Sequence, residues 1–237
     1  MNGQAFLIMT AAIGAALTLA LAAVWVFGFH GRKLPILVGG LTFFLFVNVL
    51  EGLCHYGVLL IDHPVSRFLN SHVWAYGLYG ALAAGVFEET GRLLAFQTLL
   101  RHRRERKSAI SYGIGHGGME VLLVMCAGQL VTALTGGPEL LAAITPGMCA
   151  IALLERCAAV IFHISASVLV FDAVRKQGKS WLYPAAILLH AAMDFPAVLY
   201  QQGILNLAST EIYVWVYALA VAAAAVRVYR SLPETEE

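Results

Sequence analysis

Charge is scarce in this sequence. Only 12% of its 237 residues are Asp, Glu, Lys or Arg, against roughly 25% in soluble domains. The hydrophobic share is 60%, more apolar surface than one soluble core of this length can hide. No extended polar stretch separates the apolar runs, which excludes an appended soluble domain and makes lipid the solvent. Cysteine is sparse as well. Cys54, Cys126, Cys149 and Cys157 stand singly in apolar surroundings with no C-x-x-C pair, which excludes a zinc knuckle or dithiol motif and reads them as buried small hydrophobes. H-E-x-x-H, G-x-S-x-G and G-x-G-D are all missing, removing the common zinc-, serine- and aspartyl-protease signatures. With no internal repeat and no linker, residues 1–237 read as a single helical domain, ending in a short acidic tail over 233–237.

What is present is a succession of apolar runs at about 5–29, 34–61, 72–100, 109–134, 148–174, 181–200 and 210–230. Each is long enough to cross a hydrocarbon core about 30 Å thick as a helix. The expectation is an all-α, multi-pass protein of the cell membrane with seven spans. The first run lacks a basic leader and is followed by His30-Gly31-Arg32-Lys33, so it reads as a retained helix. Basic residues fall in alternate breaks: Arg32 and Lys33, then 101–107, then Arg175, Lys176 and Lys179, then Arg227 and Arg230. The intervening breaks hold Arg67 with Asp62, Glu139 and Glu211. The positive-inside rule then places the N-terminus outside and the C-terminus in the cytoplasm. Arg101-His102-Arg103-Arg104-Glu105-Arg106-Lys107 is accordingly a topogenic loop, and no nucleic-acid partner is implied.

The informative residues are the charged and imidazole groups inside the spans: Glu51, Glu88, Glu89, Arg92, Glu120, Glu155, Arg156 and Asp194, with His55, His116, His163 and His190. A charge at the bilayer centre costs roughly 2.5 to 3.5 kcal/mol, so such groups face the bundle interior and usually serve function. At 1.5 Å per residue, Glu89, His116, Glu120, His163, His190 and Asp194 all fall roughly 14–20 Å from the cytoplasmic end of their spans. His116 and Glu120, His190 and Asp194, and Glu88 and Arg92 are i,i+4 pairs, each on one helical face.

Three imidazoles and a carboxylate make a good donor set for Zn²⁺, with a further glutamate to take a proton from water. Glu88 and Glu89 cannot both ionise in apolar surroundings without a cation, either Arg92 or a metal. The glycines around His116, in Tyr112-Gly113-Ile114-Gly115-His116-Gly117-Gly118, allow close backbone approach, although packing alone explains Gly113 and Gly117. Asn48, Glu51 and His55 share a face at i, i+3 and i+7, about 26 Å or more from the cytoplasmic side. Arg156 with Glu155 or Glu51 reads as a structural ion pair of the outer leaflet, and Asp172 as a partner of Arg175 or Lys176.

Glu88-Glu89-Thr90-Gly91-Arg92, Gly115-His116-Gly117-Gly118-Met119-Glu120, Glu155-Arg156 with His163, and His190-Ala191-Ala192-Met193-Asp194 together resemble the YhfC family of intramembrane metalloproteases. That family is similar in turn to the type II CAAX prenyl endopeptidases and bacteriocin-processing enzymes, with motifs EExxxR, FxxxH and HxxxN. The resemblance, over roughly residues 75–200, implies Glu88 as general base supported by Arg92, His116 and His190 as metal ligands, and Asp194 in the Asn position. The sequence departs from the pattern in three ways: Arg92 follows the first glutamate by four residues, Tyr112 replaces Phe, and His163 has no simple counterpart. Either Glu88 or Glu89 thus fits the base, His163 joins the candidate ligands, and Glu120 and Tyr112 are candidates for the surrounding shell.

The leading expectation is a zinc-dependent intramembrane endopeptidase acting on a membrane-associated protein or peptide that enters from the membrane or its cytoplasmic face. Its other contacts are membrane lipids. The alternatives are a non-catalytic scaffold or substrate-binding subunit resembling APH-1 and, ranked last, an ion-coupled transporter.

Overall fold

The computed structural model describes residues 2–234; Met1 and residues 235–237 of the acidic tail lie outside them. Among the described residues the chain is all-helical. Seven long helices follow the apolar runs: α1 (Gly3–Gly28), α2 (Lys33–Leu60), α3 (Val73–Gln97), α4 (Arg106–Thr135), α5 (Pro146–Arg175), α6 (Leu182–Gln201) and α7 (Leu207–Arg230). Two short helices, Pro64–Ser71 and Pro138–Ala143, lie in connections. The starts are conventional. Asn206 accepts from the Ser209 amide at 2.9 Å, and Thr145 caps α5 ahead of Pro146, each pairing an amide left over at a helix N-terminus.

Six of the seven are long and apolar enough to cross a membrane. The remaining one, α3, has 25 residues but carries Glu88, Glu89 and Arg92, all buried. It is the charge-bearing inner helix rather than an apolar one. Large apolar side chains such as Leu19, Phe27, Leu60, Leu134, Leu188 and Ile212 point outward, which suits a multi-pass protein in lipid and not one in water.

Small residues set the closeness of the inner helices. A Cβ on Gly115 would lie 1.8 Å from the Ile36 carbonyl oxygen of α2, and one on Gly113 2.5 Å from the Ile164 Cα of α5. Alternate glycines of α4 therefore seat two different neighbours, with His116 between them. Gly85 does the same for α3, where a Cβ would meet the Ile187 carbonyl oxygen of α6 at 2.6 Å. This is the small-residue packing that membrane helices use in place of a hydrophobic drive.

Three of the long helices contain wide i→i+5 turns, at Val24–Gly28 in α1, Phe44–Glu51 and Tyr56–Leu60 in α2, and Val121–Ala127 in α4. Such turns shift the register of side chains, so the expected Asn48–Glu51–His55 face is broken. Glu51 is buried and His55 half-buried, while Asn48 faces outward. In α6, Pro196 removes the amide that would bond the Ala192 carbonyl. The Tyr213 hydroxyl of α7 donates to that carbonyl instead, at 2.9 Å, which holds the helix two residues before Asp194.

Other expectations hold in part. Arg156 pairs with Glu155 at 2.6 Å and also with Glu120, whereas Glu51 pairs with His55 at 3.1 Å. Depth reckoned along straight helices leaves out the reach of an arginine side chain, so the Arg156–Glu155 pair touches the candidate site. Asp172 does pair with Lys176, at 3.2 Å. Of the cysteines, Cys126 and Cys149 are buried, Cys54 is half-buried and Cys157 is exposed, because a thiol is small and apolar enough to face lipid as well as core.

Candidate metal centre

Four helices bring the site together. Glu88 and Glu89 come from α3, His116 and Glu120 from α4, His163 from α5, and His190 and Asp194 from α6. Glu88 is the hub. Its carboxylate lies 2.8 Å from His116 Nε2, 3.8 Å from His163 Nδ1 and 3.6 Å from His190 Nε2. The three rings sit close together, with centroids 5.0 Å apart for His116 and His163 and 5.4 Å for His163 and His190.

Adjacent residues on a helix point about 100° apart, and Glu89 meets a different environment from Glu88. Its carboxylate pairs with Arg92 three residues on and with His190 Nδ1 at 2.8 Å. Glu89 and Arg92 are wholly buried. Glu88 instead lines a cleft of about 640 Å³ together with Glu120, Arg156 and Asp194. The Arg92 guanidinium, besides binding Glu89, places Nη2 3.3 Å from His163 Nδ1.

Two of the histidines are oriented through their second nitrogen. His190 Nδ1 meets Glu89, which leaves Nε2 facing Glu88 and, at 3.4 Å, Asp194. His163 Nε2 meets Glu120 at 2.5 Å, leaving Nδ1 toward Glu88. Carboxylates holding the far nitrogen of a histidine are the usual support of a metal-binding imidazole, fixing its tautomer and rotation. Glu120 is in turn paired with Arg156. His116 is held differently: Tyr112 stacks on it at 5.8 Å and Phe43 meets it edge-on at 5.1 Å, and its Nδ1 is buried without a partner.

Donor atoms of Glu88, His116 and His163 lie within 4.8 Å of one another. In tetrahedral zinc sites, bonds near 2.0–2.1 Å put donors about 3.3 Å apart. The spacings at Glu88 bracket that figure, and neutral imidazoles with one or two carboxylates balance a divalent charge. The residues therefore fit a divalent cation. Asp194, 36% exposed, stands at the cleft edge of the cluster rather than within its tightest part.

The sequence model of the YhfC intramembrane metalloprotease family matches residues 17–136 and 129–214. The chain belongs to that family. It is 32% identical over 234 residues to an uncharacterised membrane protein, YhfC, of Bacillus subtilis (strain 168), covering 88% of this chain and 90% of the relative. No solved structure matches it. The matched residues include every candidate site residue, from Glu88 to Asp194.

The site adds two features to the sequence expectation. Arg156 joins it through Glu120, a link that only the pairing of charges across α4 and α5 could have signalled. The cleft above Glu88 runs past Tyr79, His55 and Leu60 to Gln201, at the ends of α2 and α6 opposite the basic loops.

Proposed function

We propose that this protein is a zinc-dependent endopeptidase working within the membrane on a membrane-associated protein or peptide. The observation that carries the reading is the convergence of three histidines, from three helices, within 3.8 Å of the Glu88 carboxylate. Three imidazoles around one glutamate in apolar surroundings are costly as structure and economical as a hydrolytic site. Zinc would be held by His116, His163 and His190, with Asp194 at the edge. When bound it polarises a peptide carbonyl and makes water more acidic.

The chain's own residues divide the remaining work. Glu88 faces both the imidazoles and the cleft, so it receives the proton from the attacking water and returns it to the leaving amine. Glu89 is committed to Arg92 and His190, and its role is to hold the His190 ring with Nε2 turned inward. Arg92 neutralises Glu89, so that only Glu88 is left to move a proton. Glu120, balanced by Arg156, orients His163. Tyr112 and Phe43 pack on His116, fix its ring and exclude water from its back.

One contact favours the scaffold alternative: the Arg92 guanidinium lies 3.3 Å from His163 Nδ1, a cation beside a proposed ligand. The discriminating experiment is mass-spectrometric mapping of new N-termini in membranes containing the wild type or Glu88→Gln. Termini should appear with the wild type, fall by on the order of 10² to 10⁴ in rate with Glu88→Gln, and vanish with a chelator. Identical termini in both membranes would leave the scaffold reading.

A further inference from the structure

The cleft leading to Glu88 holds more negative charge than a hydrolytic centre needs. Five carboxylates line it, those of Glu51, Glu88, Glu120, Glu155 and Asp194, against the single guanidinium of Arg156. Glu120 and Glu155 are both engaged by Arg156, Glu88 by His116, and Asp194 lies beside His190. Glu51 has only the imidazole of His55, four residues on in its own helix.

Glu51 is only 5% exposed. One of its oxygens, Oε1, pairs with His55 Nε2 at 3.1 Å, and the other nitrogen of that ring meets the Tyr79 hydroxyl at 3.0 Å. This chain fixes the carboxylate on the cleft wall. Its second oxygen, Oε2, is buried and has no hydrogen-bond partner. A carboxylate oxygen left without a donor in a low-dielectric site is costly, and His55 alone would serve a purely structural acid through Oε1. The wide turns of Phe44–Glu51 point the same way, because they turn Glu51 inward and leave Asn48 outside.

We propose that Glu51, backed by His55 and Tyr79, receives a basic side chain, lysine or arginine, of a substrate segment entering the cleft from the end opposite the basic loops. The ammonium or guanidinium supplies the donor that Oε2 lacks, and the apolar stem of the side chain lies along the cleft wall. For its consequence, a peptide bond brought to Glu88, this rests on the hydrolytic reading above. The cation site itself does not.

The test uses thiol modification of the full chain in sealed membrane vesicles. Cys54, Cys126, Cys149 and Cys157 are replaced by serine, and Ala84→Cys puts one thiol on the cleft wall, a helical turn before Glu88. Two membrane-impermeant methanethiosulfonates are compared, one trimethylammonium and one sulfonate, each rate normalised to that with a small free thiol. The cationic reagent should react at least about tenfold faster, the scale of focusing by a charged cleft. Glu51→Gln should remove most of that preference, Glu51→Asp should keep it, and Asp62→Asn on the surface should not change it. Octylammonium should slow the reaction and octanol should not. Helix content and elution volume confirm that each variant is folded.

An unreactive thiol, equal rates for the two reagents, or a preference that survives Glu51→Gln would each overturn the proposal. The measurement needs neither turnover nor metal, so its failure leaves the hydrolytic reading standing. Conversely, a Glu51-dependent preference in a protein that cleaves nothing would mark a cation-binding cleft in a non-catalytic protein.

Discussion

The two ends of the bundle use charge in opposite ways. Where α1, α3, α5 and α7 finish, basic side chains close the structure. Arg175 donates to the carbonyls of Phe96, Leu100 and Arg103 at 3.0, 2.6 and 2.7 Å, Lys107 reaches the Phe29 carbonyl at 2.7 Å, and Lys176 reaches that of Ser231 at 2.9 Å. Carbonyls at helix C-termini are unpaired and carry partial negative charge, so long cationic side chains there are doubly favourable. At the other end the carboxylates of Glu51, Glu155 and Asp194 line an open cleft. The lesson is that position relative to the helix ends decides whether a charge seals a membrane bundle or prepares it to receive something.

That contrast can be broken most sharply in the buried pair behind Glu88. Arg92→Ala leaves the buried Glu89 with the His190 imidazole but no guanidinium, so unfolding in mild detergent should show a loss of about 3–5 kcal/mol. A loss below 1 kcal/mol would mean that Glu89 is not a buried, Arg92-dependent anion. At the closed end, Arg175→Ala removes charged hydrogen bonds to three carbonyls and should cost roughly 2 kcal/mol by the same measurement. The smallest effect belongs to Asp62→Asn, which removes the exposed pair of Arg67 and Asp62 at 2.9 Å and should cost no more than about 1 kcal/mol. If Asp62→Asn proved as costly as Arg175→Ala, solvation would not be what separates the two ends.

Much of this was legible in the sequence, and for definite reasons. Helix positions follow from apolar runs, which is why the segment expected at 34–61 appears as Lys33–Leu60. The cluster of Glu88, His116, His163 and His190 was legible because a polar group in lipid has to be explained, and their depths agreed. The roles of Glu88 and Glu89 were not, since neighbouring residues in one motif differ only in which partners the other helices present. Nor was the tie from Arg156 to His163 through Glu120, which spans two helices and depends on side-chain reach. The inward turn of Glu51 depends on a wide-turn stretch that no residue pattern in 44–51 announces. The Tyr213 bond to the Ala192 carbonyl follows from Pro196 only once α7 is known to lie beside α6.

If the histidines around Glu88 form a metal centre, elemental analysis of the purified protein will find the ion. The wild type should carry about one zinc or other divalent ion per chain. His116→Ala and His190→Ala should lose most of it while remaining folded, and Glu88→Gln should keep it if Glu88 only moves protons. A wild type that stays metal-free after incubation with zinc, or histidine variants that hold as much metal as the wild type, would contradict the account.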